Sequence, residues 1–230
     1  MDFIFDGVKE AFWLLLNLDD ETFSAIKITV YTSTISIIFS LIMGLPLGFI
    51  LGFFEFRGRK FLRLISDTLL AIPTVVIGLM VYAFISYRGP LGELGLLYTD
   101  KGIIIGQTLL ALPIVISLSA SAIEGMDKKL RLTLASFGLT LTQTIKSVIW
   151  ELRHSLIATG VTAYGRVVAE VGVAMMIGGN IKWFTRTITT AISLETSKGE
   201  FAMGIALGIV LVLIAFSVNL VLFFLKRRAV

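Results

Sequence analysis

The chain is expected to be an all-α polytopic membrane protein with about five transmembrane helices, because several of its apolar runs reach the ~20 residues that cross a bilayer. Two further observations agree. Hydrophobic residues make up 56% of 230 residues and mean hydropathy is +0.92, far outside the range of a soluble domain. The breaks between apolar runs collect Lys and Arg unevenly, as loops on two sides of a membrane do.

Residues 1–22 are apolar in patches and acidic at both ends, which reads as an interfacial helix. Acidic residues stand where the basic region of a cleavable signal peptide belongs. The first span covers residues 23–54, longer than lipid requires, with Gly44, Pro46, Gly48 and Gly52 suggesting a kink or a close helix contact. The second covers 64–86 and contains Pro73; the third covers 103–123 and contains Pro113. The fourth covers 156–177, and the last covers 201–225, stopping at Lys226-Arg227-Arg228. Leu69-Leu70-Ala71-Ile72-Pro73 echoes Leu109-Leu110-Ala111-Leu112-Pro113 at an offset of 40. That echo reads either as an inverted repeat or as two proline-kinked spans sharing an apolar vocabulary.

Counting Lys and Arg beside each span gives the topology. Twelve lie on the side of the 57–63 loop, the 126–153 stretch and the C-terminus, against seven on the other. The first side is expected to be cytoplasmic, with the N-terminus outside and the C-terminus inside. The sequence pI of 9.4 is then explained by topology, and no nucleic-acid partner is expected.

Residues 126–151 are the longest polar interruption in the second half. Leu130, Leu134, Phe137, Leu141, Ile145 and Val148 recur at steps of three and four, one face of a helical pattern. Such a segment either lies on the membrane surface or docks a soluble partner.

Arg166 and Glu170 are the only charges of the fourth span, and their spacing places them on one helix face. Each costs at least about 2.5–3.5 kcal/mol in lipid, so both are expected to face protein or water. They line a passage or gate, or they neutralise each other and fix packing. Gly178-Gly179 is expected to stop that span. Gln107, Asn219 and Ser117, Ser119 and Ser121 are expected to hydrogen-bond between helices, and Asp67 to act as a helix N-terminal charge.

The absence of cysteine excludes disulfides, thiolate metal sites and cysteine nucleophiles. A lone His154 offers no metal or catalytic constellation. There is no GxxxxGK[ST] phosphate loop, so ATP and magnesium would belong to another chain. A transport subunit is expected, not an enzyme. A secondary transporter or channel, which would need no ATPase, is the rival class.

Leu132-Thr-Leu-Ala135-Ser-Phe137-Gly138, followed by Val148-Ile149, resembles the signature loop of ATP-binding cassette importer permeases. Gly138 matches that motif, Phe137 holds the apolar place before it, and Val148 holds the Ile place. Leu132 stands where Glu is usual, and Trp150-Glu151 replaces Leu-Pro. Residues 160–180, with Arg166-Val-Val-Ala-Glu170-Val-Gly172 and Gly178-Gly179-Asn180-Ile, are similar to permeases of the molybdate and tungstate group. The Gly-Gly-Asn-Ile ending looks most like tungstate permeases. Asp67 through Gly78 resembles that group's second span.

The resemblance implies one permease domain over residues 1–230 of the type I importer kind, with 126–151 as the cytoplasmic coupling loop. It implies a homodimeric pore in the lipid bilayer, two cytoplasmic ATPase subunits and an extracytoplasmic oxyanion-binding protein. The membrane would be a prokaryotic cytoplasmic one. Ala135, Phe137, Gly138 and Leu139 would couple to the ATPase, and Arg166 and Glu170 would serve the pathway or gate. Sulfate, phosphate or an amino acid are the alternative cargoes.

Overall fold

The computed structural model describes the backbone over residues 2–228, and the side chains there except those of residues 2–4, 6, 7, 10, 128, 135, 221, 222 and 225–228. The architecture is all-helical. In chain order the helices are α1 (Asp2–Leu16), α2 (Asp20–Phe53), α3 (Arg59–Leu70), α4 (Thr74–Ile85), α5 (Asp100–Glu124), α6 (Lys128–Ser136), α7 (Leu141–Glu151), α8 (Arg153–Val168), α9 (Gly172–Gly178), α10 (Ile188–Lys198) and α11 (Phe201–Arg228). A single 3₁₀ turn, Gly92–Leu94, lies between α4 and α5.

Among the described residues three helices, α2, α5 and α11, are long and apolar enough to cross a membrane unbroken. Two more spans arise if each bent pair is counted as one: α3 with α4, bent by 99°, and α8 with α9, bent by 58°. The expected second and fourth spans are therefore broken ones. In the second, Pro73 lacks an N–H and disfavours helix in Ile72, so α3 ends before it and α4 starts after it. Pro113 has almost the same neighbours, yet α5 runs through it. The two prolines of the echo thus play different structural parts.

The α2–α5 seam organises the bundle. Along α2, Ser36, Ser40, Gly44, Gly48 and Gly52 recur every four residues and are buried. A Cβ added at Gly48 would lie 1.9 Å from the Ser119 hydroxyl and 2.8 Å from the Ile116 carbonyl oxygen. One at Gly52 would lie 2.7 Å from the Ala120 carbonyl oxygen. The glycines make a close helix contact, and α2 continues through Pro46. Across the same seam the Ser36 hydroxyl donates to Gln107 Oε1 at 3.1 Å, and Ser40 lies 3.2 Å from the Thr108 carbonyl oxygen. Asn219, by contrast, donates to Ala215 of its own helix at 3.0 Å. The opposite face of α2 exposes Ile38 and Ile42, as a lipid-facing surface does.

Helix α1 packs on α11 and leaves Trp13 and Leu16 exposed. Helix α9 lodges between α4 and α5, with Val173 and Ile177 buried against Val81 and Ile85. Helix α10, in a stretch that reads as polar loop, starts at a Thr187–Thr190 capping box and stops at Gly199, whose φ is +86°.

Because the seam has no room at Gly48, Gly48→Val should lower the thermal midpoint of the detergent-solubilised protein, at an overpacking cost of at least ~1–3 kcal/mol. Gly208→Val, where an added Cβ meets nothing within 4 Å, should leave the midpoint in place.

Candidate functional site

The amphipathic stretch folds as two short helices around a glycine turn. Asp127 caps α6 by accepting from the Lys129 N–H at 2.9 Å, and Thr140 and Gln143 form a capping box at the start of α7. Between them Gly138 has φ +60°, and an added Cβ there would meet nothing within 4 Å. Backbone conformation, not space, demands glycine at this turn.

The apolar stripe divides. Leu130, Leu134, Ile145 and Val148 pack against Phe49, Phe53 and Ile123 at the ends of α2 and α5. Phe137 and Leu132, each 71% exposed, are left uncovered by the bundle, while the exposed Leu141 borders the recesses beneath α7. Leu139 lines a recess of about 480 Å³ with Arg131, Leu134 and Thr144. Ala135 lies on α6, with its side chain outside the described residues.

Arginines tie this element to the bundle. The last carbonyls of α2 have no partner within their own helix. Phe53 O accepts from Arg131 of α6 at 2.5 Å, and Leu51 O accepts from Arg59 Nε of α3 at 2.7 Å. Arg59 also pairs with Glu124, the last residue of α5, at 2.8 Å, and Arg63 lies 3.7 Å from the same carboxylate. One turn deeper, Arg63 donates to the Ser117 carbonyl at 2.8 Å, and the Ser117 hydroxyl donates to Asp67 at 2.5 Å. Asp67 is thus the far end of an α3–α5 polar ladder, not a helix N-terminal charge. The other face of α3 exposes Phe61, Leu64 and Leu69, so its polarity is inverted relative to a helix packed on an apolar core.

Arg166 and Glu170 do not share a helix face. Helix α8 ends at Val168 and α9 begins at Gly172, so Glu170 lies in the break between them. Its side chain is buried and turns back, Oε1 accepting from the Gly172 N–H at 2.7 Å and the Val173 N–H at 3.3 Å. Its carbonyl accepts from the Thr189 hydroxyl at 2.7 Å, linking the break to α10. The carboxylate thus takes up N–H groups that the bend releases. Arg166, in the last turn of α8, is exposed, and among the described residues its side chain has no hydrogen-bond or ion-pair partner.

At the opposite end of the bundle lies a network that the hydropathy pattern does not reveal. Arg186, almost fully buried, pairs with Glu21 of α2 and, at 3.4 Å, with Glu195 of α10. Lys198 joins Glu195 at 3.0 Å, and the half-exposed Lys182 pairs with Glu21. The only local sign of this site is the threonine cluster around Arg186: Thr185, Thr187, Thr189 and Thr190 are all buried. The pairing between residues 21 and 186 leaves no trace in periodicity.

Residues 44–230 match the family described as binding-protein-dependent transport system inner membrane component. This chain belongs to that family. Among the most similar relatives of this inner membrane component is the tungstate uptake system permease protein TupB of Campylobacter jejuni, 59% identical over 227 residues, 99% of this chain and 95% of the relative. The TupB protein of Peptoclostridium acidaminophilum is 35% identical over 99% of this chain and its own whole length. The molybdate/tungstate transport system permease protein WtpB of Pyrococcus furiosus is 26% identical over 70% of this chain and 62% of the relative. Among solved structures, an inward-facing conformation of the MetNI methionine ABC transporter has a TM-score of 0.71, covering 94% of this chain and 95% of that one. At 17% identity that likeness concerns the fold alone. The inner membrane component is a multi-pass membrane protein.

Removing one partner from a buried ion pair strands the other charge, at about 3–5 kcal/mol, whereas an exposed pair contributes at most ~1 kcal/mol. Arg186→Met should therefore lower the thermal midpoint in detergent sharply, and Lys182→Met should barely move it. Equal, small shifts in both would show that the network carries no stability.

Proposed function

We propose that this chain is the transmembrane permease subunit of an ATP-driven importer for a tetrahedral oxyanion, tungstate first and molybdate second. The full-length similarity to the tungstate uptake permease of Campylobacter jejuni carries this reading. The whole chain acts as one permease unit in a prokaryotic cytoplasmic membrane. It works as a homodimer with two cytoplasmic ATPase subunits, which hold the ATP and magnesium, and with an extracytoplasmic oxyanion-binding protein. The end bearing α6 and α7 is cytoplasmic, as the excess of Lys and Arg there favours, which puts the N-terminus outside and the C-terminus inside.

Phe137 offers an exposed apolar ring at the tip of the turn, the chemistry of an anchor for a pocket on the ATPase. Ala135, Gly138 and Leu139 shape that tip. Motion imposed there reaches α2 through Arg131 and Phe53, and α3 and α5 through Arg59 and Glu124. The stiff α2–α5 seam then carries it through the bundle as a rigid-body tilt, the simplest route to alternating access.

Arg166 supports the homodimeric pathway. An arginine without a partner on its own protomer, near the middle of a broken span, is tolerated only where water or a second copy meets it. There it attracts a dianion. Glu170 acts beside it by holding the α8–α9 bend that orients the last turn of α8.

In proteoliposomes containing permease, ATPase and binding protein, Arg166→Ala should lower tungstate uptake by about tenfold or more, the loss expected from one charge-assisted contact. The variant should still co-purify with the ATPase, and unchanged uptake would remove Arg166 from the pathway. Competition by molybdate and sulfate in the same assay ranks the cargoes. Phe137→Asp should abolish co-purification of the ATPase while the permease remains monodisperse; a normal complex would refute the docking role.

A further inference from the structure

We propose that the chain carries a specific seat for one anionic diacyl phospholipid, a trough forked around Arg153 at the root of α8. The inference goes beyond the transport reading, and its test does not depend on transport.

Two apolar grooves supply the seat. The first, about 630 Å³, lies between α2, α8 and α11 and is floored by Leu41, Gly160, Tyr164 and Val218. The second, about 490 Å³, runs along the last turns of α2 beneath α7, between Phe49, Phe54, Leu141 and Ile145. They share Leu45, Ile149 and Leu156 and so meet in a fork. Each arm is of the size of one acyl chain.

The fork is where the charge sits. Ile149, Arg153, Leu156 and Gly160 follow one another at steps of four, three and four, and the backbone hydrogen bonds of Leu152 carry α7 almost directly into α8. Arg153 therefore emerges between the two residues at which the grooves join. Its guanidinium stacks over the Trp150 ring at 4.7 Å and donates once, to the Trp150 carbonyl at 2.5 Å. A guanidinium has five N–H groups, so further donors remain for a phosphate. Lys146, exposed one turn before the 69%-exposed Trp150, adds positive charge and an indole beside the same mouth, the pairing that marks an anionic lipid–water interface.

The order of chemistry decides the occupant. A cation at the fork with an apolar arm on either side matches an anionic head joined to two tails. A second copy of the chain would have to offer a forked apolar ridge with an acid at its branch. Gly160 keeps the floor open: an added Cβ would only touch Leu41 at 3.4 Å, so the glycine is not required by helix packing there. The seat also joins the underside of α7 to α8, the element whose last turn bears Arg166.

Native mass spectrometry of the full chain, delipidated in detergent and then offered dioleoyl phosphatidylglycerol or dioleoyl phosphatidylcholine, tests this. The wild type should retain phosphatidylglycerol at one per protomer. Gly160→Trp, which fills the first arm, and Ile157→Trp, on its half-exposed lip, should each cut retention to about a tenth, the equivalent of a few lost methylene contacts. Two variants at sites of different burial guard against a folding failure in one. Arg153→Gln should still hold a lipid but lose about fivefold of its preference for the anionic head. Retention unchanged in both tryptophan variants, no headgroup preference in the wild type, or no phosphatidylglycerol retained by the wild type once it is offered would each overturn the seat. So would Ile157→Cys dimers that cross-link equally with and without lipid, since these would give the groove to a second copy.

Discussion

Within lipid, burying one apolar helix against another gains nothing that the lipid tails do not already offer, so helices associate by approaching closely and by sharing polar groups. The α2–α5 seam does both. Its glycines let carbonyl oxygens of α5 come within 3 Å of where side chains would otherwise stand, and its serines and Gln107 bond across the gap. Much of the rest is placed from α5, while α1, α10 and α11 pack on one another and on α2 and α8. Its first turns receive α9 against Gly106, its serines receive the inverted α3, and its last residue, Glu124, holds the arginines that close that end of the bundle.

A second rule sorts the charges. A charge in a low-dielectric bundle needs a partner or water. Arg59, Arg63 and Arg186 have partners across helices, and Glu170 takes backbone N–H groups in place of a cation. Arg166 stands apart from that pattern, and its isolation, more than its position in the sequence, makes it a candidate for function.

Much of the architecture was legible because membrane helices must be apolar along their whole length. The spans emerge from hydropathy within a few residues, and the helical character of 126–151 emerges from its 3.6-residue periodicity. The breaks were not legible. Pro73 and Pro113 share their surroundings in sequence but not in effect, since tertiary contacts decide whether a helix tolerates the missing bond. The 169–171 break depends on a carboxylate folding back on its own chain, so reading Glu170 as a helical neighbour of Arg166 failed on geometry that spacing cannot supply. Helix α10 and the Arg186 network lie in a polar stretch, and one partner of that network, Glu21, sits 165 residues from Arg186.

The turn at Gly138 has a consequence for the thermodynamics of assembly. Glycine occupies positive and negative φ about equally readily, so no side chain at position 138 holds the turn in the left-handed region. Any partner that grips Phe137 must therefore first reduce that freedom, and part of the contact energy goes into ordering the peptide. The turn in this sense moderates affinity for any such partner, trading tight attachment for easier release. A D-amino acid at the same position, which favours positive φ, would hold the turn and shift that balance toward residence.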